Sequence, residues 1–385
     1  MTDTAATRRG ALALFGGLAL SGCSSTGVPS TRTRTTAPNV RECDTTVAAT
    51  DWPSFQRDAA NTGRTSVSVP DSGPTATETV ADSGVETAPV AVGGTLVGGT
   101  STGVKAVPIG SHGANWTVET DSVVHAAPAF GCGCVVAATT RATHVLDAED
   151  GTERSQFDAG SGDAPPIVRD DVLYVADGPT AYSLRDGTRR WRSDAIEGVV
   201  SGVAVAGNRV FVTTASNANG DVVALDVADG GERWRYTDIG AVQTVPAVAD
   251  TVVYVTEATG TLHAIDAETG ERRWTRLVDG SFPPAPTVGS ERVYVSGGNA
   301  TGTHAFTTDG ERAWTRDLGK SWTPSVRAAD ALLVPTANEG VYALDPVSGD
   351  TIWRDGREGA ESGVAVTDAG VSITNSAGAV VRLAF

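Results

Sequence analysis

The sequence predicts an all-β fold, an eight-bladed β-propeller of four-stranded blades. Three observations carry it: a tryptophan recurring about every 40 residues, a glycine shortly before each, and strand-forming runs between them. The series is Trp116, Trp191, Trp234, Trp274, Trp314 and Trp353, with steps of 43, 40, 40 and 39 residues from Trp191 onward. Gly187, Gly230, Gly270, Gly310 and Gly349 stand four positions before their tryptophans, and Gly113 three before Trp116. The first step, 75, conceals a degenerate copy at Gly151 to Phe157.

One unit shows why the repeat is a sheet. Val245 to Val255 reads as a strand, a tight turn at Ala249 to Thr251, and a second strand rich in β-branched and aromatic residues. Gly260 to Asp266 gives a third strand in which Leu262, Ala264 and Asp266 share one face. The Asp266 carboxylate is placed to accept loop N–H groups, and Gly270 supplies a positive φ for the hairpin. The fourth strand opens with Trp274. Burying such an indole between blades removes about 200 Å² from water, so the six tryptophans read as structural docking residues.

First strands are expected near Thr87, Ala126, Pro165, Ser201, Val245, Pro284, Thr323 and Ser362, which makes eight. The eighth blade has only three strands before Phe385. Residues 74 to 80 stand where its fourth should be supplied, so the prediction is closure by an N-terminal strand, leaving no free sheet edge. That strand offers Ala76 or Thr77 in place of tryptophan, and the second blade offers Ser155 with Phe157 nearby. Both are the weak blades.

Ahead of the propeller lies an address. Arg8-Arg9, an apolar run from Ala11 to Leu20, and Leu20-Ser-Gly-Cys23 resemble a twin-arginine export signal ending in a lipobox. The run is too short to span a bilayer. The expected organisation is a signal over 1–22, a Ser/Thr/Pro-rich tether over 23–48 with Cys23 lipidated, and the propeller over 49–385. The expected location is the outer face of the cytoplasmic membrane, held by the lipid. Arg32, Arg34 and Arg41 would support one weak lipid anchor near anionic headgroups.

The balance is acidic: 46 Asp and Glu against 29 Lys and Arg, a formal net charge of −17, with Lys105 and Lys320 the only lysines. Such a field disfavours nucleic acid as a partner and resembles that of halophilic proteins. With Cys23 lipidated, Cys43, Cys132 and Cys134 remain in an oxidising compartment. The expected disulfide joins Cys43 to Cys132; a Cys-x-Cys metal or redox site is the alternative, and no ligand spacing supports it.

His144, His263 and His304 stand three residues before the repeat's Asp position. In other blades Lys105, Tyr182, Val223, Tyr342 and Val381 fill that slot, which marks a strand position. No metal site is expected. The mouth of the axial channel is the better place for recognition, because the loops preceding the inner strands converge there. Glu86, His125, Asp163, Gln243, Trp322 and Glu361 occupy those positions. Three carboxylates, an imidazole, an amide and an indole facing one funnel suit a polar ligand, a cation or a partner protein. No nucleophile elbow, phosphate-cradling loop or His-Glu-x-x-His is present.

The segments Ala264-Ile-Asp-Ala-Glu-Thr-Gly270 to Trp274 and Ala343-Leu-Asp-Pro-Val-Ser-Gly349 to Trp353 resemble the pyrroloquinoline quinone repeat. Arg185, Thr307 and Pro108 depart from it at the Asp position. Residues 51–63 resemble the segment that opens many such propellers. The resemblance implies one of two branches. Quinoprotein dehydrogenases hold the quinone, a calcium ion and a catalytic Asp on the axis, commonly under a ring of adjacent cysteines; here Gly133 separates Cys132 from Cys134. Lipoprotein scaffolds of the BamB type share this size and a lipid tether. The expectation is therefore a non-catalytic, monomeric platform for a membrane or extracellular protein, without cofactor. A quinoprotein alcohol or sugar dehydrogenase and a small-ligand sensor are the alternatives.

Overall fold

The computed structural model describes residues 47–216, 219–356, 359 and 363–385. Its strands form eight antiparallel four-stranded sheets arranged as blades of a ring. Inner strands begin at Val90, Ala129, Ile167, Val199, Ala247, Thr287, Val326 and Gly363, close to the expected starts. In the fifth blade the order from the axis outward is Ala247–Ala249, Val252–Thr256, Thr261–Asp266 and Arg272–Leu277. Inner strands of the first to seventh blades pack side by side in succession, and the first packs on the eighth.

Closure follows the predicted route. Ala76–Ala81 lies outside Val380–Ala384, with Ala76 opposite Ala384 and Thr79 opposite Val381, before a bulge at Val80. Chain ends that would leave two sheet edges instead complete one sheet.

The docking glycines do two things. Gly230, Gly270, Gly310 and Gly349 all have φ between 72° and 85°, which a hairpin turn requires and L side chains resist. Each also lies under the preceding blade's indole: a β-carbon on Gly270 would come within 2.7 Å of Trp234, and one on Gly349 within 2.6 Å of Trp314. The indole N–H then donates to the loop carbonyl just after the repeat's Asp position, Trp191 to Val227 at 2.9 Å and Trp274 to Thr308 at 2.9 Å. Trp353 closes the series on the N-terminal segment, donating to the Pro70 carbonyl at 2.8 Å and lying against Gly73. Trp116, Trp191, Trp314 and Trp353 are buried, whereas Trp234 and Trp274 are half-buried. In the second blade, Ser155 holds the tryptophan register opposite Val145, and Phe157 two residues on stacks on Tyr182 of the third, centroids 4.4 Å apart.

The repeat's Asp works as expected. Asp266 accepts the Glu268 and Thr269 amides at 2.9 Å, and Arg273 at 2.6 Å. Together, led by Arg273, these hold its carboxyl down to about 2. One register differs from the expectation. The Gly187 amide donates to Ser183, as Gly230 does to Asp226, so Ser183 and not Arg185 occupies the Asp position. Ala181 pairs with Trp191, which puts Thr180 and not Tyr182 in the histidine slot of that blade. Serine there offers no carboxylate to mark the position, and the neighbouring Asp186 sets up its own turn through Thr188.

Candidate functional site

The two ends of the axial channel are built differently. One end is sealed by residues 52–67, which wind past successive inner strands. Trp52 bridges Ala91 in the first blade, and Phe130 donates to Pro53 in the second. Val205, Val248, Val288 and Arg327 donate to Ala59, Ala60, Thr62 and Gly63 at 2.6–2.8 Å, in the fourth to seventh blades. Asn61, fully buried, donates its side-chain amide to Val203 O at 2.8 Å and Pro246 O at 3.1 Å. Asp58 holds the winding by accepting the Ala60 and Thr62 amides.

The other end opens as a cup of about 370 Å³ with Phe55 of the sealing segment among its lining residues. Glu86, His125, Asp163, Gln243 and Trp322 all line it, each four residues ahead of an inner strand. Ser201 takes the corresponding place in the fourth blade, where the strand starts early, at Val199, and carries a bulge. Glu361, the sixth expected member, lies outside the described residues. The five expected side chains are exposed, and among the described lining residues there is no lysine or arginine.

Trp322 is the best-positioned of them. It is 47% exposed, yet its indole N–H donates to Asn299 Oδ1 at 3.1 Å. Asn299 in turn donates through its backbone and side-chain amides to Ser281 O and Oγ, at 3.0 and 3.1 Å. Three loops from the fifth to seventh blades are thus joined through one amide. Sequence reasoning missed Asn299 and its neighbour Phe282, because neither occupies a repeat position. Phe282 has φ 55° and is 50% exposed, an unusual backbone for a bulky residue. A non-glycine left-handed residue has only a weak sequence signature.

Three of the other histidines are internal struts, while His112 lies exposed in a loop. His144 bonds Glu153 at 2.7 Å and Asp121 at 3.2 Å; His263 bonds Glu257 and the Tyr236 hydroxyl, each at 3.3 Å. His304 bonds the Thr315 hydroxyl at 3.0 Å, and burial pushes its imidazole down to about 4. Burial also lowers His263, against the pull of Glu257. They sit in separate blades, and among the described residues no group of three His, Cys, Asp or Glu side chains could hold a metal ion.

Cys132 and Cys134 lie at the sealed end of the second blade, in the hairpin that follows Ala129–Gly131 and at the start of Cys134–Ala138. Cys132 is disulfide-bonded; the expected partner, Cys43, and the lipidation candidate, Cys23, lie outside the described residues. Cys134 is a free, buried thiol that burial pushes up. His125, in the same blade, stands at the other end of its inner strand, so these cysteines do not cover the cup.

A family model described as outer membrane protein assembly factor BamB matches residues 140–245, 180–277 and 218–383. Among solved structures, BamB from Moraxella catarrhalis superposes with a TM-score of 0.62 at 17% identity, covering 81% of this chain and 97% of that one. A quinohemoprotein alcohol dehydrogenase from Comamonas testosteroni gives 0.70 at 15% identity, covering 86% and 77%. A europium-containing methanol dehydrogenase gives 0.67 at 12%, covering 86% and 91%. At these identities the likeness is one of fold. Comparison with curated proteins returns no significant relative.

Proposed function

This chain belongs to the family of the outer membrane protein assembly factor BamB, and from that premise we propose a non-catalytic platform that holds a partner protein outside the cytoplasmic membrane. A lipid on Cys23 would tether it, and the propeller would present its loops as a rigid surface. The mechanism is display: the ring fixes loop positions, and a partner binds without any bond being made or broken.

The observation that carries this reading is the chemistry of the cup. Pyrroloquinoline quinone bears three carboxylates, whereas the cup presents Glu86, Asp163 and His125 and no lysine or arginine among its described lining residues. Like charges at close range in a cavity cost several kcal/mol of discrimination, of the order used to exclude wrong partners. Without a cation to bridge them, Glu86 and Asp163 would repel that cofactor, so its binding here would depend on an ion such as calcium, and the two cysteines stand at the far end of the channel. Dehydrogenase chemistry is therefore not assigned.

Two experiments test the proposal. Titration with pyrroloquinoline quinone and calcium should give no saturable complex and no dye-linked oxidation of alcohols or sugars; a tight, active complex would overturn it. Crosslinking in intact membranes should recover a defined partner protein with the chain, and repeated failure to recover one would count against a platform.

A further inference from the structure

Two large aromatic side chains stand exposed on neighbouring loops at the open end, Phe282 at 50% and Trp322 at 47%, while Leu277, 69% exposed, ends the outer strand of the fifth blade. The two aromatics are held, not loose. The Phe282 amide donates to Ala258 O at 2.9 Å, and a β-carbon on Gly298 would approach Phe282 O to 2.3 Å. Gly298 bridges Ser321, next to Trp322, while Asn299 ties Ser281 to the indole. Holding a phenylalanine at positive φ in an exposed position costs free energy that a relaxed loop would avoid. Aromatic side chains fixed in advance lose little entropy on binding, which suits them to an interface.

The indole face of Trp322 is also distinctive. The docking residues Trp274 and Trp314 are each covered by an arginine, Arg276 at 5.7 Å and Arg316 at 5.9 Å. Among the described residues no cation covers Trp322, although Glu86 and Asp163 line the same cup without an ion-pair partner. A cation entering the cup would meet an indole face and carboxylates together, and the chain's net charge of −17 would draw it in.

We propose that the cup and its aromatic corner form one recognition site for a partner-protein segment carrying an arginine or lysine flanked by apolar residues. The cationic side chain enters the cup against Trp322, Glu86 and Asp163, and an apolar neighbour covers Phe282. This inference rests on the platform reading and adds the chemistry of what the platform holds.

The test uses the full chain in detergent and three labelled pentapeptide amides, Gly-Leu-X-Leu-Gly, with X arginine, citrulline or glutamate. Fluorescence anisotropy should show the arginine peptide binding, the citrulline peptide at least tenfold weaker, and the glutamate peptide not binding at millimolar concentration. Trp322→Ala and the pair Glu86→Gln with Asp163→Asn should each weaken the arginine peptide at least tenfold, with thermal midpoints unchanged. Asn299→Ala, which frees the indole, should fall between wild type and Trp322→Ala. Equal affinity for all three peptides, no binding of the arginine peptide, or indifference to Trp322→Ala would each overturn the site. A photo-crosslinking residue at position 282 or 347 separates the two readings. A partner trapped only from 347, at the sealed end, would sink this site and leave the platform standing; a partner trapped from neither would sink the platform.

Discussion

At the sealed end of the channel, six inner strands donate backbone N–H groups to residues 52–67, and Asn61 is wholly buried between two of them. At the open end, the residues ahead of five inner strands leave Glu86, His125, Asp163, Gln243 and Trp322 exposed. The strands are equivalent, so the contrast comes from what each end has to satisfy. Buried backbone groups demand partners, and a segment threaded past them must place its own carbonyls at fixed intervals. Residue identity there is set by folding. Nothing in the fold requires a tryptophan or a glutamate at the mouth, which is why identity there carries information about recognition.

The strongest break of this comparison sets two tryptophans against each other. Trp353 is buried, donates to Pro70, and lies 5.7 Å from the Phe385 ring, where the N-terminal segment meets the closing blade. Trp353→Ala should cost about 3–5 kcal/mol, the range for emptying a buried aromatic site. Denaturant unfolding would measure it, and a loss below about 1 kcal/mol would show that the indole is not what joins the ends. Asn61→Ala comes next. It leaves the Val203 and Pro246 carbonyls without the Asn61 donor in a buried site and should cost about 2–4 kcal/mol, with cup binding retained.

Acid should separate the struts from the loops. His304 has a folded value near 4, below the ordinary 6.5, because burial disfavours the imidazolium. The unfolded chain therefore takes up this proton first, and stability is full above pH 6.5 and declines as pH falls toward 4. Asp266, near 2 instead of 3.8, adds a second loss only between about pH 4 and pH 2, kept small by its exposure to water. His304→Asn should flatten the upper slope and leave the lower one; an unchanged slope between pH 6.5 and 4 would remove His304 as the cause.

How much of this was legible depends on whether a feature repeats. The tryptophan beat, the glycine before it and the missing eighth strand are periodic, so eight blades and the closing segment can be read from residues alone. The five cup residues were also legible, because a fixed offset from each inner strand brings them to one axis. The strut from Ser281 through Asn299 to Trp322 was not, since its members come from three loops that differ in length between blades. Ser183 escaped because its blade lacks the carboxylate that marks the slot. The path of 52–67 was recognisable only as a kind of segment, and its hydrogen-bonding order round the ring depends on left-handed turns at Asn61, where asparagine is favoured, and at Arg57, which arginine does not announce.

The smallest predicted effect on stability is the sharpest for function. Trp322 lies in no docking position, no glycine seats it, and nearly half its surface meets water. Trp322→Ala should therefore change unfolding free energy by less than about 0.5 kcal/mol, as exposed substitutions generally do. If it costs several kcal/mol instead, the indole belongs with Trp353 as a structural part, and the mouth loses its claim to be free of folding constraint. If it costs nothing and yet abolishes capture of a cationic peptide, the same residue type serves folding on an outer strand and recognition at the mouth of the channel. The side chain is identical in both places; what differs is whether another part of the chain already covers its face.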